Sequence, residues 1–459
     1  MYVKHFLGAI SIRVIFAFLF TLSVSPFYGG TGWAQPKPLN EKLEIKISPE
    51  ASKTEAKELT GVITLKDAIS LARLRNPELG ALSLEIRAQK ARILQAGLLP
   101  NPEIGFEAEN LGGSGDFRRF GSTETTLQLS QLIELGGKRS KRKMIAYHER
   151  DLAKWDYESK RADVLTEVTK AFVDVFASQE HLALTDELVS LAEKVFNAVS
   201  ARVKAGKTSP VEETRAGITF SISRIALEHA KQKLKASRKQ LAAAWGGQTP
   251  YFENVDGEFD VITNIPSITE IEGLIFQNPD LARWGTEKEQ RHANLALEDA
   301  RRIPDPTISL GARNFNETDD NAFILAVSIP IPVFDRNQGG TMEARLRLSK
   351  ANKEHQAARM MVLNDLAEAY QSLSSAYSEA TALKAEVLPG AQSAFDASRE
   401  GYRQGKFDYL VLLDAQRTLF EVRARHIEAL SLYHKAVADV ERLIGTGLDT
   451  PIKTSEEKS

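Results

Sequence analysis

Apolar positions along this chain follow two periods, and each period recurs at matched places in two halves. Ile104, Phe106 and Ala108 alternate with Glu103, Gly105, Glu107 and Glu109. Beyond a glycine-rich loop, Thr125, Leu127 and Leu129 alternate with Glu124, Thr126, Gln128 and Ser130. Ile308, Leu310 and Ala312 alternate with Thr307, Ser309, Gly311 and Arg313, and Phe323, Leu325, Val327 and Ile329 share one side of a segment running from Phe323 to Ile331. Period two with one polar face predicts four strands. Each is about 9–10 residues, the length of a tilted membrane strand. Two soluble hairpins, each with one face on a core and one in water, fit the same alternation.

The second period is helical. Leu165, Val168, Phe172 and Val175 step by three and four, and Leu188, Leu191, Val195 and Val199 extend the stripe. Leu363, Leu366, Tyr370 and Leu373 repeat those steps in the second half. No proline interrupts Lys138 to Lys204, which predicts a rod of about 100 Å. Breaks at Gly206 to Pro210 and at Gly405 to Asp408 turn the chain into return helices closed by Gly246 and Gly445. Pro389-Gly390 predicts a kink in the second outgoing helix. A narrow apolar stripe on so long a rod buries little by itself, so partner helices are required.

These elements are written twice. Val203-Lys204-Ala205-Gly206-Lys207 matches Tyr402-Arg403-Gln404-Gly405-Lys406. Asn76-Pro77-Glu78-Leu79 matches Asn278-Pro279-Asp280-Leu281, and Leu99-Pro100-Asn101-Pro102 matches Ile303-Pro304-Asp305-Pro306. The repeat is roughly 200 residues long. Asn-Pro followed by an acid is a helix start, and the later prolines stop those helices near Leu98 and Arg302. The plan is helix, hairpin, long helix, return helix, over residues 61–246 and again over 247–445.

Composition changes this picture in three ways. The 459 residues include no cysteine, which removes disulfides, thiolate metal sites and a lipid-modified N-terminal cysteine. A net charge of −2 gives no general attraction to nucleic acid. The N-terminus reads as an export signal over residues 1–34: Lys4, His5 and Arg13, an apolar run from Val14 to Leu22, and the cleavage site Gly32-Trp33-Ala34. The segments 35–60 and 446–459 are polar flanks. No later segment is long and apolar enough for a spanning helix, so any membrane crossing must be made by strands.

In this order and number, the elements resemble the TolC family of outer-membrane efflux proteins, over about Ile63 to Gly445. The resemblance is carried by Asn76-Pro77-Glu78-Leu79, by Ala96-Gly97-Leu98-Leu99-Pro100-Asn101-Pro102, and by Tyr402-x-x-Gly405 followed by Leu413-Asp414-Ala415-Gln416. Gln131 to Arg139 (QLIELGGKR) looks like the cobalt–zinc–cadmium branch. The resemblance implies a mainly α protein with a small β part. It would be a homotrimer in which four strands per chain form a 12-stranded transmembrane β-barrel, continued by a trimeric helical barrel through the periplasm. It implies a passive export duct for metal cations or other small toxic solutes, without a cofactor. Its partners would be a periplasmic adaptor and an inner-membrane pump of the resistance–nodulation–division type. The rival readings are a secreted scaffold or adhesin without a pore and an envelope enzyme using the glutamates.

The resemblance also places candidate residues. It puts a gate near the second helix tip, with Asp414 as an acidic ring and Tyr402 as a closing contact. Val411 stands where the family carries a first aspartate, and Glu212 and Arg215 are the first-half counterparts of Val411 and Asp414. The other reading of Asp414 is a surface pair with Arg417. Gly206, Lys207, Ser209, Gly405 and Lys406 are expected adaptor contacts. If the strands cross a membrane, Glu103, Glu107, Glu109, Glu124, Gln128 and Arg313 line the lumen. Lys138, Arg139, Lys141, Arg142 and Lys143 sit at a helix start, where cations oppose the dipole. Outer-membrane lipid phosphate or a plain solvated face would account for them. Among eight histidines, His5, His148, His181, His229, His292, His355, His426 and His434, no metal-ligand spacing occurs. Asn110 to Asp116 is a hairpin loop rather than a phosphate loop.

Overall fold

The computed structural model describes residues 60–448. The expected signal peptide and most of both polar flanks lie outside these residues. The described residues open with β1 (Gly61–Thr64) and α1 (Leu65–Arg75), neither of which the sequence pattern predicts. The side chain of Thr64 accepts from the Asp67 amide while Asp67 accepts back, a capping box that starts α1.

The predicted helix starts are built alike in both halves. In α2 (Pro77–Ala96), the Asn76 side chain accepts hydrogen bonds from the amides of Glu78 and Leu79. Its own amide donates to the carbonyl of Ala244, at the far end of the first half (3.1 Å). Two strands follow, β2 (Glu103–Glu109) and β3 (Glu124–Leu132), then α3 (Lys138–Lys204) and the return helix α4 (Pro210–Ala244). After β4 (Phe252–Asp256) and the short α5 (Ile268–Glu272), Asn278 caps α6 (Pro279–Arg301) as Asn76 does α2, and it donates to Leu443 O (2.8 Å). Gly246 and Gly445 close the two return helices at φ of +86° and +75°. A Cβ on Gly246 would meet Pro77 Cδ at 2.9 Å, and one on Gly445 would meet Gln277 O at 2.6 Å. Only glycine supplies both the left-handed turn and the close approach.

The second hairpin is β5 (Thr307–Phe315) and β6 (Asp320–Ser328), followed by α7 (Gln338–Ala382). A π-turn over Leu383–Val387 leads into α8 (Leu388–Arg403), and α9 (Tyr409–Ile444) returns. Two expectations need correction. The fourth strand begins earlier, at Asp320, and ends at Ser328 rather than Ile331, because Pro330 and Pro332 have no amide to give a ladder. The disturbance predicted at Pro389-Gly390 is the π-turn just before it. The helix absorbs the missing proline donor by widening one turn and continues.

The four longer strands form one antiparallel sheet in the order β2-β3-β5-β6, so the two hairpins are joined through β3 and β5. β1 and β4 make a separate parallel pair that brings the start of the first half to the start of the second. The helical cores repeat. Val164, Val168, Phe172 and Val175 of α3 pack with Leu234 and Leu241 of α4 and with Leu71, Trp245 and Phe252. Leu366 and Leu373 of α7 pack with Tyr433, Val440 and Ile444 of α9 and with Ile271 and Leu281. The halves meet along α3 and α9, where Lys435 pairs with Asp174 (2.5 Å), Arg423 with Glu187 (2.7 Å), and Arg442 with Asp163; Arg442 also pairs with Asp280 of α6 in its own half.

Candidate functional site

Three places in the fold hold the predicted residues: the sheet, the junctions where each hairpin becomes a helix, and the two helix tips. The register puts Glu103, Glu107, Glu109, Glu124, Gln128 and Arg313 on one face. Glu109 is opposite Glu124, Glu107 opposite Thr126, and Thr126 opposite Arg313. The Arg313 guanidinium donates to Glu124 (2.8 Å), Glu109 (3.0 Å) and the Thr126 hydroxyl (2.9 Å). Glu103 and Glu107 have no ion-pair partner among the described residues. Gln128 lies over Gly105 and Gly311, which leave room for its side chain. The polar face is therefore partly neutralised at its loop end and acidic toward the helices.

The other face is apolar and uncovered. Leu127 is opposite both Phe106 and Ala312, and Leu310 is opposite Leu325. Ile104, Phe106, Leu310, Leu325 and Val327 are exposed, and Phe323 is 98% exposed. A patch of this kind is unfavourable in water and marks a membrane or protein contact. Among the described residues β2 and β6 each have only one neighbour, so each presents an open ladder.

The first junction is built on its cations. Lys138 is 8% exposed; its ammonium donates to the carbonyl of Ile303 (2.6 Å) and pairs with Asp305 (2.7 Å). Arg139 donates to Gly97 O (2.5 Å) and Lys141 to Gly136 O (2.7 Å), while Arg142 grips Glu134 through both terminal nitrogens. Gly97 and Ile303 lie just past the C-terminal ends of α2 and α6. Cations there satisfy orphan carbonyls and meet the favourable end of each dipole. These bonds were in neither reading taken from sequence, lipid phosphate or a solvated face; Lys138 is buried by them, and Arg139 stays exposed. They are intramolecular clasps.

Both tips turn through a left-handed glycine, Gly206 at φ +67° and Gly405 at φ +74°. Ser209 caps α4 by accepting from the Val211 amide (3.3 Å). Gly206, Lys207, Ser209, Gly405 and Lys406 are all exposed. Tyr402 lies edge-on to Tyr409 at 6.2 Å, and the Arg202 guanidinium sits 4.7 Å over its ring. The Tyr402 hydroxyl is buried without a hydrogen-bond partner among the described residues. Tyr409 packs into the first-half tip against Val199 and Ala216. Burial pushes its phenol above the ordinary range, a bond to Thr219 opposes this, and the charge of Glu212 adds to the rise. Asp414 is exposed and pairs with Arg417 (3.1 Å), so the surface pair is present. Asp414 also borders an open 440 Å³ groove between α8 and α9, whose walls include Ala391, Ala394, Ser398 and Ala415. Sequence reasoning missed Arg202 and Tyr409. Arg202 immediately precedes Val203, the first-half counterpart of Tyr402, and that adjacency was the available signal.

Among the described residues no helix is long and apolar enough to cross a membrane, and no cluster of three or more metal-ligating side chains occurs. The family profile described as "Outer membrane efflux protein" matches residues 68–247 and 271–446. The chain belongs to the outer membrane efflux protein family. It is 36% identical over 390 residues to the cobalt-zinc-cadmium resistance protein CzcC of Cupriavidus metallidurans, covering 85% of this chain and 91% of that one. It is 22% identical to the cation efflux system protein CusC of Escherichia coli, covering 80% and 85% of the two chains. Solved CusC has the same fold at a TM-score of 0.67, with 18% identity over 84% of this chain and 94% of that one. The open-state MtrE outer membrane channel of Neisseria gonorrhoeae matches at 0.68, with 19% identity over 85% and 91%. As a family member the protein is an efflux component of the outer membrane, which sets aside the scaffold or adhesin reading.

Proposed function

We propose that three copies of this chain form the outer-membrane duct of a tripartite efflux system that exports metal cations. The observation that carries this reading is the sheet. It has one polar face, one exposed apolar face and two open edges of opposite strand direction. In a ring of three copies, β6 of one chain pairs antiparallel with β2 of the next, and twelve strands close without an edge. The polar face then lines the lumen and the apolar face meets lipid. The long helices continue the duct, so the tips lie at the far end, where the adaptor and an inner-membrane pump of the resistance–nodulation–division type would engage. Residues 61–246 and 247–445 act as the two repeats of this plan.

Metal cations are the favoured cargo because the relative at 36% identity confers cobalt, zinc and cadmium resistance by name, and because Glu103 and Glu107 keep unpaired carboxylates on the lumen face. Transit needs no tight site. Asp414, repeated three times around the axis, would form the acidic ring of the gate, with Tyr402 and Glu212 beside it. The test is outer-membrane fractionation with heat-modifiable electrophoresis, followed by planar-bilayer recording. A membrane-bound trimer that conducts cations is expected, and a monomer in the periplasmic fraction would remove the duct. The purified protein should bind zinc, cobalt or cadmium only weakly; a stoichiometric micromolar site would move metal selection into this chain.

A further inference from the structure

The second junction uses its cations differently from the first. Beside the start of α7 lies an open groove of 520 Å³ whose walls include Arg302, Val333, Phe334, Arg336, Met342 and Arg345. Among the described residues, none of these three guanidinium groups has a carboxylate or hydrogen-bond partner. Three acids near the groove bond other groups. Glu298 bonds Arg301 and Asn337, Asp335 accepts from the Asn337 amide, and Glu343 pairs with Arg347. Thr341 also lines the groove. It is 6% exposed, and its hydroxyl is buried with no partner.

The chain runs from the end of β6 directly into the groove wall at Val333 and Phe334. Phe323, Leu325 and Val327 occupy the apolar face of the sheet, and beyond the strand Ile329, Ile331 and Val333 are exposed too, with a tight turn in which the Val333 amide donates to Ile331 O (2.9 Å). Pro330 and Pro332 between them have no amide to leave unpaired. The rail ends at Phe334, 91% exposed, beside the three arginines.

We propose that this groove holds the headgroup phosphate of an anionic phospholipid in the leaflet on the helix side of the sheet. The acyl chains would run along Ile329, Ile331, Val333 and Phe334. Guanidinium groups form strong charge-assisted bonds to phosphate oxygens, and a basic cluster at a membrane surface selects anionic lipid. Thr341 supplies a hydroxyl donor that no group among the described residues uses. In the proposed ring a second copy meets β6 along its edge; the unpaired guanidinium groups and the exposed apolar residues that lead into the groove match an anionic lipid. The inference rests on the sheet crossing the membrane.

The experiment is native mass spectrometry of the full chain, purified in detergent and titrated with phosphatidylglycerol or phosphatidylcholine. Insertion into phosphatidylcholine vesicles is measured in parallel. The wild-type protein should insert and should retain phosphatidylglycerol about tenfold more tightly than phosphatidylcholine. The variant Arg302→Gln/Arg336→Gln/Arg345→Gln should lose that preference, whereas Lys231→Gln/Lys235→Gln/Lys239→Gln, with the same charge change on α4, should keep it. Thr341→Val should weaken retention by about threefold. A wild-type protein that inserts without preferring phosphatidylglycerol overturns this inference and leaves the duct intact; failure to insert removes the membrane reading itself. Preference surviving in the arginine variant overturns the site. Displacement of the lipid by millimolar glycerol phosphate would reduce it to a plain anion site. Dissociation of that variant's oligomer, with no wild-type lipid preference, would assign the groove to a neighbouring copy.

Discussion

The two hairpin-to-helix junctions occupy equivalent places in a duplicated plan, yet their cations have opposite fates. In the first half Lys138, Arg139, Lys141 and Arg142 are spent on carbonyls and carboxylates of the same chain. In the second half Gln338 stands where Lys138 stands, as the first residue of its helix, and at the groove Arg302, Arg336 and Arg345 have no ion pair among the described residues. Duplication preserves geometry and lets chemistry diverge. One junction binds the halves together, since Lys138 reaches residues 165 and more positions away, and the other faces outward. A run of basic residues is thus no guide to a basic surface until its partners are known.

The largest effect should come from breaking the first clasp. Lys138→Met removes a largely buried partner from Asp305 and orphans the Ile303 carbonyl. Loss of one member of such a pair costs about 4 kcal/mol. Gln338→Met, at the matching position, gives up only a 3.1 Å bond to the Phe334 carbonyl and an exposed contact with the Arg336 amide, so about 1 kcal/mol is expected. Thermal unfolding by circular dichroism should separate the two, and equal losses would mean that the junctions are not divergent in the way described.

The next contrast sets the sheet's faces against each other. Leu127→Arg places a cation on the apolar face, at a cost of about 2–4 kcal/mol at mid-membrane depth. Gln128→Arg, one residue on, projects over Gly105 and Gly311 on the polar face and should be tolerated. Trimer yield in outer-membrane fractions is the readout, and similar yields would mean that the apolar face does not meet lipid.

These face assignments were legible in the sequence because alternation is local and each strand reports its own two sides. The tips were legible too, through Gly206 and Gly405 and the matched residues around them. What escaped is what depends on distant chain. β1 and β4 are four and five residues long and pair across the whole first half, too short for a periodic signal. The clasping role of Lys138 depends on Asp305, and no spacing rule connects them. The π-turn of Leu383–Val387 was visible only as a proline, whose effect the helix displaced.

A smaller effect should follow pH. His181 in the first half and His434 in the second are both held below the ordinary value, chiefly by burial; Lys233 adds to this at His181, while a bond to the Phe259 carbonyl opposes it at His434. Both are therefore neutral in the fold at neutral pH. The unfolded chain takes up their protons near pH 6.5, before the folded chain does. The stability they carry is fully present above that value and is lost as pH falls through their lowered folded values. Unfolding midpoints should drop on acidification from pH 7 to pH 5, less steeply in His434→Gln than in the wild type. An unchanged slope would place the proton uptake elsewhere. His434 stacks on Phe259 at 5.5 Å, so the substitution also tests that contact, and the slope rather than the midpoint at pH 7 is the informative quantity.

The smallest change in stability, and the most telling about function, concerns the tips. Val203 and Tyr402 are counterparts, and only the tyrosine carries a hydroxyl. Within one chain that hydroxyl is buried and has no partner among the described residues, so Tyr402→Phe should cost essentially no stability, with a gain of at most a few tenths of a kcal/mol. The ring stacking with Arg202 and Tyr409 survives the change. Any effect on conductance must then come from a bond that the hydroxyl makes in the assembled tip, to a group on a neighbouring copy. Asp414→Ala removes an exposed pair with Arg417, which contributes about 0.2–1 kcal/mol at most, yet it deletes three carboxylates from the proposed ring. The expected outcome is that both variants assemble normally, that Tyr402→Phe raises basal conductance, and that Asp414→Ala weakens block by multivalent cations. Wild-type conductance and block in both would transfer the gate to the first-half tip, where Glu212 and Glu213 are the remaining acids, and the tyrosine difference between the tips would then be one of packing alone.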